Sequence, residues 1–320
     1  MTSNYAERVT LTIVDDNSID FLLADGTDAR RYDLPTQFDP KHSPVQAEFG
    51  ISFLVEVERA NRVTRLLFDA GFTPEVLSHN LRVLGIDPTQ LDHVVISHGH
   101  PDHYGGLPTV LEALERPIPV STHPDAFEAR YAVMPDGAVA SFYNARFDRS
   151  KLEEGGARFV LAKSPVEVIP GVITSGEIKR ETTFEGPREP TSFAGLFQVK
   201  DGVCGLDHVW DEIALVINVR DAGLVVLTGC GHAGVINSLS QAVRLTGVDK
   251  IAAVMGGFHL GFPGTPTDNI RLTIESLKEM EVRRIVPMHC TGLAASSAMM
   301  RDLPDAYLQP SVGTQFVFGG

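Results

Sequence analysis

Cysteine is scarce in this chain: Cys204, Cys230 and Cys290 are the only three among 320 residues. An odd, widely spaced set is no disulfide framework, so a buried apolar core must hold the fold. Reduced thiols lead us to expect a cytoplasmic protein. Basic residues are also short, 27 against 41 acidic, for a net charge of −14. That deficit argues against sequence-independent binding to DNA or RNA, whose phosphates require a Lys/Arg surface. It argues equally against an anionic membrane surface. No apolar run reaches the ~20 residues needed to span a bilayer. The opening MTSNYAERVT lacks the basic-then-apolar pattern of a signal peptide. There is no glycine-rich phosphate loop followed by Lys-Ser/Thr, and no GxSxG elbow. No linker rich in Pro, Gly or Ser divides the chain. Length alone, at ~150 residues per domain, suggests two domains; the lack of a linker favours a single one over residues 1–320.

What the chain does have is a repeated unit. Short apolar strands are expected at 91–97, 224–228, 251–255 and 284–288, and each is followed within a few residues by a histidine: His98, His232, His259 and His289. Amphipathic helices are predicted at 234–245 and 267–280, which gives βα crossovers. Earlier, 8–14, 51–57 and 64–68 read as strands, with a polar turn at Asp15, Asp16, Asn17 and Ser18. A helix begins after Thr73, with Pro74 at its first position and Glu75 at the positive end of its dipole; it stops at Gly85. In sheets with such crossovers, ligands gather beyond the carboxyl ends of the strands. A lone histidine there is ordinarily a core or surface residue; four together point to a site. Residues 126–150 and 181–208 have weak periodicity and are expected to be inserted loops.

The densest chemistry is His98-Gly99-His100-Pro101-Asp102-His103, three imidazoles and a carboxylate directly after a buried strand. Neutral imidazole and carboxylate bind zinc and other divalent first-row metals. Residues 98 and 100 can point the same way from an extended turn. Asp102 and His103, where a helix can start, can face a second ion. His42, His79, His93 and His123 have no comparable context and are taken as structural. Lys179, Arg180 and Arg188 offer contacts for a substrate phosphate or carboxylate, and Phe184, Phe193 and Phe197 an apolar wall; a solvated charged loop and a loop anchor are the plainer readings.

His98, His100, Asp102 and His103 match, residue for residue, the HxHxDH signature of the metallo-β-lactamase superfamily, and Asp69 matches its earlier aspartate. The chain resembles that superfamily along nearly its whole length. Within it, the segment from Thr228 to Asn237 (TGCGHAGVIN) is similar to a motif of the 7,8-dihydropterin-6-methyl-4-(β-D-ribofuranosyl)aminobenzene-5′-phosphate synthase-like proteins. Asp211-Glu212, Ser175-Gly176-Glu177-Ile178, Phe258-His259 and His289-Cys290 match other landmarks of that group, with Lys179 replacing a proline.

The resemblance implies an αββα sandwich and a two-ion metal site. It assigns His98, His100 and a later histidine to one ion, and Asp102, His103 and His289 to the other. His232 is the first choice for the later histidine; Cys230, standing where the superfamily usually has a bridging aspartate, is the alternative ligand. His208 ranks third. Two zinc ions are expected, with manganese and iron as alternatives. The implied chemistry is hydrolysis of a small ester, lactone or phosphoester by metal-activated hydroxide. Asp102 and the metal-bound hydroxide together would handle the proton, and His259 would either protonate the leaving group or serve as a hydrogen-bond partner to a metal ligand. A pterin-synthase-like condensation and a non-catalytic metal-binding or ligand-sensing role are the alternatives; an iron redox enzyme ranks below both. A small-molecule substrate is expected, with no nucleic acid or membrane partner.

Overall fold

The computed structural model describes residues 4–32, 44–134, 136–141, 147–186, 195–262 and 265–320. Two sheets face each other. One has eight strands, in the order Ala29–Arg30, Gln315–Gly319, Arg8–Asp15, Ser52–Arg59, Arg62–Phe68, His93–Val95, Ile118–Thr122, Ala157–Leu161. The other has six, in the order Glu167–Ile169, Val172–Thr174, Leu215–Val219, Gly223–Thr228, Ile251–Gly257, Ile285–Met288.

Leu11, Phe53, Phe68 and Val95 from the first sheet meet Leu215, Leu227, Met255 and Val286 from the second in one apolar layer. The outer face of the first sheet is covered by helices Pro74–Val83 and Leu107–Leu114, through Leu77, Leu81, Leu107 and Leu111. Helices Val235–Thr246, Thr267–Glu279 and Gly292–Asp302 cover the second, through Leu239, Ile274, Leu277 and Met299. The order is therefore helix, sheet, sheet, helix, the expected αββα sandwich. Because Gly223–Thr228 is buried on both faces, it reads as a continuous apolar run rather than an alternation.

The local signals act as expected in the first helix. Thr73 caps it by accepting from Val76 N at 3.3 Å, Pro74 opens it, and the chain turns at Gly85 with φ +68°. No helix among the described residues is long and apolar enough to cross a membrane.

The two stretches expected to be inserted loops are more ordered than that. They supply a third, antiparallel sheet: Val203–Leu206, Gly195–Lys200, Ala129–Val133 and Val139–Ser141. Every residue of Gly195–Lys200 is half-buried, so neither face shows the polar–apolar contrast that betrays a strand.

Glu185 fastens the segment before this sheet to the sandwich. Its carboxylate accepts from Ile236 N at 2.8 Å and Asn237 N at 2.9 Å, at the start of helix Val235–Thr246. Burial pushes its pKa up from the ordinary 4.5 to about 7 even though those N–H donors oppose the shift. The folded state thus holds this proton more tightly than the unfolded chain. The resulting stability is complete below pH 4.5 and is lost as pH rises through 7. Glu185→Gln should flatten that part of the stability profile, removing on the order of 2–3 kcal/mol of pH dependence. Urea midpoints of both proteins between pH 5 and 8 check this; parallel profiles would contradict it.

Candidate metal centre

Both sheets deliver their parallel strands to the same edge. In the first sheet, Arg62–Phe68 and His93–Val95 run parallel and lead into Asp69 and the His98 loop. In the second, Gly223–Thr228, Ile251–Gly257 and Ile285–Met288 run parallel and lead into Cys230 and His232, His259, and His289.

Asp69 organises the loop from below. It is fully buried and left-handed (φ +56°). Its carboxylate accepts from Ser97 N at 2.7 Å and Ser97 Oγ at 2.7 Å, and contacts His103 Nδ1 at 2.7 Å. With Nδ1–H donated to Asp69, His103 turns Nε2 toward the other ligand atoms, where a bound cation would displace the proton it carries. Pro101 opens the short helix Pro101–Tyr104, which turns Asp102 and His103 out of the loop.

Two groups of ligand atoms result. Those of His98, His100 and His232 lie within 4.8 Å of one another, as do those of Asp102, His103, Cys230 and His289. His98 Nε2 and His100 Nδ1 are 3.0 Å apart. Asp102 Oδ2 is 3.1 Å from His289 Nε2 and 3.6 Å from His103 Nε2, and His103 Nε2 is 3.2 Å from Cys230 Sγ. Cys230, His232 and His259 form a third, overlapping group. His208 enters none of these groups among the described residues. Its ring packs near Trp210 instead, and its carbonyl accepts from Arg180.

The donor set fits a divalent cation. Burial, together with neighbouring His103, His100 and His232, holds the His98 imidazole well below its ordinary pKa, so it is neutral. His232 is held down the same way, and its buried Nε2 has no hydrogen-bond partner. Burial alone would also lower His103, but Asp102 and Asp69 outweigh it and push it up to about 9. Burial pushes the Cys230 thiol up, so it would ligate as thiolate only with a cation beside it.

Several supporting residues were not foreseen from sequence. Asp16 Oδ1 accepts from His289 N at 2.9 Å, while Asn17 contacts His289 Nδ1 at 3.2 Å and donates Nδ2 to its carbonyl. The polar turn after the first strand thus grips a histidine 272 residues away. Glu212, fully buried, accepts from Gly231 N and Ala233 N at 2.7 and 2.6 Å, fixing the turn that presents His232. His259 and His289 have left-handed backbones, φ +52° and +50°, which non-glycine residues adopt only when their surroundings impose it. The His259 ring lies 4.1 Å from that of His232, with its Nδ1 buried and unpartnered.

The other singled-out residues take structural positions. His79, His93 and His123 pair with Pro44 O, Ser121 Oγ and Glu177 respectively. Arg180 stacks 4.1 Å over Trp210 and donates to backbone carbonyls, and Lys179 is exposed. Phe184 packs on the core of the second helical layer, and Phe197 is half-buried in the third sheet. His42, Arg188 and Phe193 lie outside the described residues.

A cavity of about 690 Å³ opens over His100, Asp102, Cys230, His232 and His259. Its walls are Phe49, Phe72, Val133, Met134, Leu196 and Phe262.

A sandwich with buried imidazoles and a carboxylate at the shared edge of its sheets defines a metallo-β-lactamase-type fold with candidate metal ligands, and the chain belongs to the metallo-beta-lactamase superfamily. The superfamily's model matches residues 49–204. The chain is 34% identical over 278 residues to a 7,8-dihydropterin-6-methyl-4-(beta-D-ribofuranosyl)-aminobenzene-5'-phosphate synthase of Methanocaldococcus jannaschii, covering 86% of this chain and 92% of that protein. A solved structure described as a metal-dependent hydrolase of the beta-lactamase superfamily superposes with a TM-score of 0.73 at 25% identity, covering 98% of this chain and all of the other. A diphosphatase of the PhnP family shares the fold, with a TM-score of 0.52 at 14% identity over 97% and 98% of the two chains.

Proposed function

We propose that the protein is a metal-dependent hydrolase of a small ester, lactone or phosphoester. The observation that carries this reading is the pair of ligand groups on the floor of an open cavity with apolar walls. His98, His100 and His232 would hold one divalent cation, and Asp102, His103 and His289 a second, with Cys230 completing that group. Cations so held lower the pKa of bound water to about 7 and polarise a carbonyl or phosphoryl oxygen.

The chain's own groups supply the rest. Asp102, at the cavity floor, orients the attacking water by accepting its hydrogen bond. His259, whose ring faces the cavity beside Phe262, delivers a proton to the leaving group. Phe49, Phe72 and Met134 bind the apolar part of the substrate and exclude water from it.

The 34% identity to the synthase favours a second reading, in which the same site condenses a dihydropterin with a ribofuranosylaminobenzene phosphate. One experiment separates the two. Protein stripped by chelator and reloaded with zinc, manganese or iron(II) is assayed against a lactone, a phosphodiester and an aryl ester, and for condensation of the two pterin-pathway fragments. The hydrolase reading expects metal-restored turnover of at least one ester-type substrate. Condensation without hydrolysis would replace it with the synthase reading. If neither reaction depends on metal, both readings fail.

A further inference from the structure

We propose that Arg130, Asp207 and Asp211 form a buried ionic clamp that positions His100, and so sets cation binding by His98, His100 and His232 without acting on the neighbouring group. This rests on the reading that the two groups hold cations.

Arg130 lies on strand Ala129–Val133 of the third sheet, outside the sandwich, yet its side chain is only 2% exposed. Its Nε donates to Asp207 Oδ2 at 2.7 Å and its Nη2 to Asp211 Oδ1 at 2.6 Å. Both carboxylates are buried too. Three charges withdrawn from water need a function or a complete set of partners, and here Arg130 and Asp211 converge on one residue, Gly99. Asp211 Oδ2 accepts from Gly99 N at 2.8 Å. Arg130 Nη1 reaches Ala126 O at 3.2 Å and Gly99 O at 3.5 Å. The clamp closes so tightly that a Cβ at residue 99 would stand 1.9 Å from Ala126 O and 2.5 Å from Arg130 Nη1. Only glycine fits between the two histidines.

Asp207 addresses the next residue. Its Oδ2 lies 3.8 Å from His100 Nε2, on the far side of the ring from Nδ1, which faces His98. A carboxylate behind a ligating imidazole fixes its tautomer and raises its basicity. His103 also has a carboxylate behind it, Asp69, in hydrogen-bond contact at 2.7 Å where Asp207 stands at 3.8 Å, so each ligand group contains one histidine backed by a carboxylate. The two supports come from different places. Asp69 belongs to the sandwich, whereas Arg130 and Asp207 belong to the inserted region. Strand Ala129–Val133 also supplies Ala132 and Val133 to the cavity wall. The inserted sheet therefore covers the substrate space and holds one metal-binding histidine in place.

The test uses zinc alone. Metal-free wild type and Asp207→Asn are titrated with zinc against a competing chelator, and Arg130→Lys serves as a second variant. Wild type is expected to take up two equivalents. Asp207→Asn should keep one at wild-type affinity and bind the other about 10–100-fold more weakly. Zinc anomalous scattering from crystals of the variant at limiting zinc should show density retained at Asp102, His103 and His289 and lost at His98, His100 and His232. Two equivalents bound as in wild type overturn the proposal. So does parallel weakening of both with a lower melting temperature of the metal-free protein, which would mark a merely structural cluster. Wild type that takes up no zinc overturns the two-cation reading as well, whereas failure of the substrate panel leaves this result intact.

Discussion

Asp102→Asn is expected to lower turnover of an ester-type substrate by about a thousandfold or more, and to cost one equivalent of bound metal. A thousandfold corresponds to about 4 kcal/mol of lost transition-state stabilisation. Burial alone would raise the Asp102 carboxyl, but His103 and His289 outweigh it and hold it well below the usual carboxylate range. It is therefore the one permanent negative charge in its ligand group, since the other members are imidazoles and a thiol raised by burial. An amide keeps the shape and removes the charge. The second cation would then lose its one charged ligand, and no carboxylate would remain at the cavity floor to orient the attacking water. Metal content by emission spectroscopy and kcat/KM are measured together. Wild-type stoichiometry with turnover within tenfold of wild type would remove Asp102 from both roles.

Asp69→Ala should be the most damaging change to the fold near the site, at about 3–5 kcal/mol. The carboxylate satisfies Ser97 N, Ser97 Oγ and His103 Nδ1, all fully buried. Alanine leaves those donors unpaired where water cannot reach them. It also places a β-carbon without a compensating hydrogen bond at φ +56°. Asp69→Gly separates the two effects: it should recover about 1 kcal/mol, the left-handed strain, and leave the rest of the loss. Urea denaturation of the metal-free proteins measures this without interference from cation binding. A loss for Asp69→Ala below about 1 kcal/mol would show that the three donors find other partners.

These residues also show what the sequence could and could not reveal. The βα crossovers were legible because strand–helix alternation and apolar runs are local patterns; the αββα sandwich followed only from the resemblance carried by the His98 loop and the later motifs. The His98–His103 cluster was legible because its chemistry is packed into six consecutive residues. Asp16 and Asn17 read only as a turn, since nothing near residue 16 says that His289 will arrive beside it. Arg130, Asp207 and Asp211 were missed as a unit for the same reason. Their partnership depends on strand Ala129–Val133 pairing with Gly195–Lys200, about 65 residues on, through half-buried strands without clear alternation. Weak periodicity there meant two-sided contact with its surroundings, not an absence of structure.

The two ligand groups straddle the seam between the sheets, which has a mechanical consequence. Each joins a pair from the His98 loop to residues more than a hundred positions further along the chain. When cations are bound they act as non-covalent cross-links, closing loops whose entropic cost in a disulfide-bonded chain would be about 4–5 kcal/mol for each loop of roughly 100 residues. A chain with three unpaired cysteines has no covalent fastener across that seam. Its resistance to unfolding then becomes a function of free metal concentration. The protein would loosen along the seam as free metal runs short.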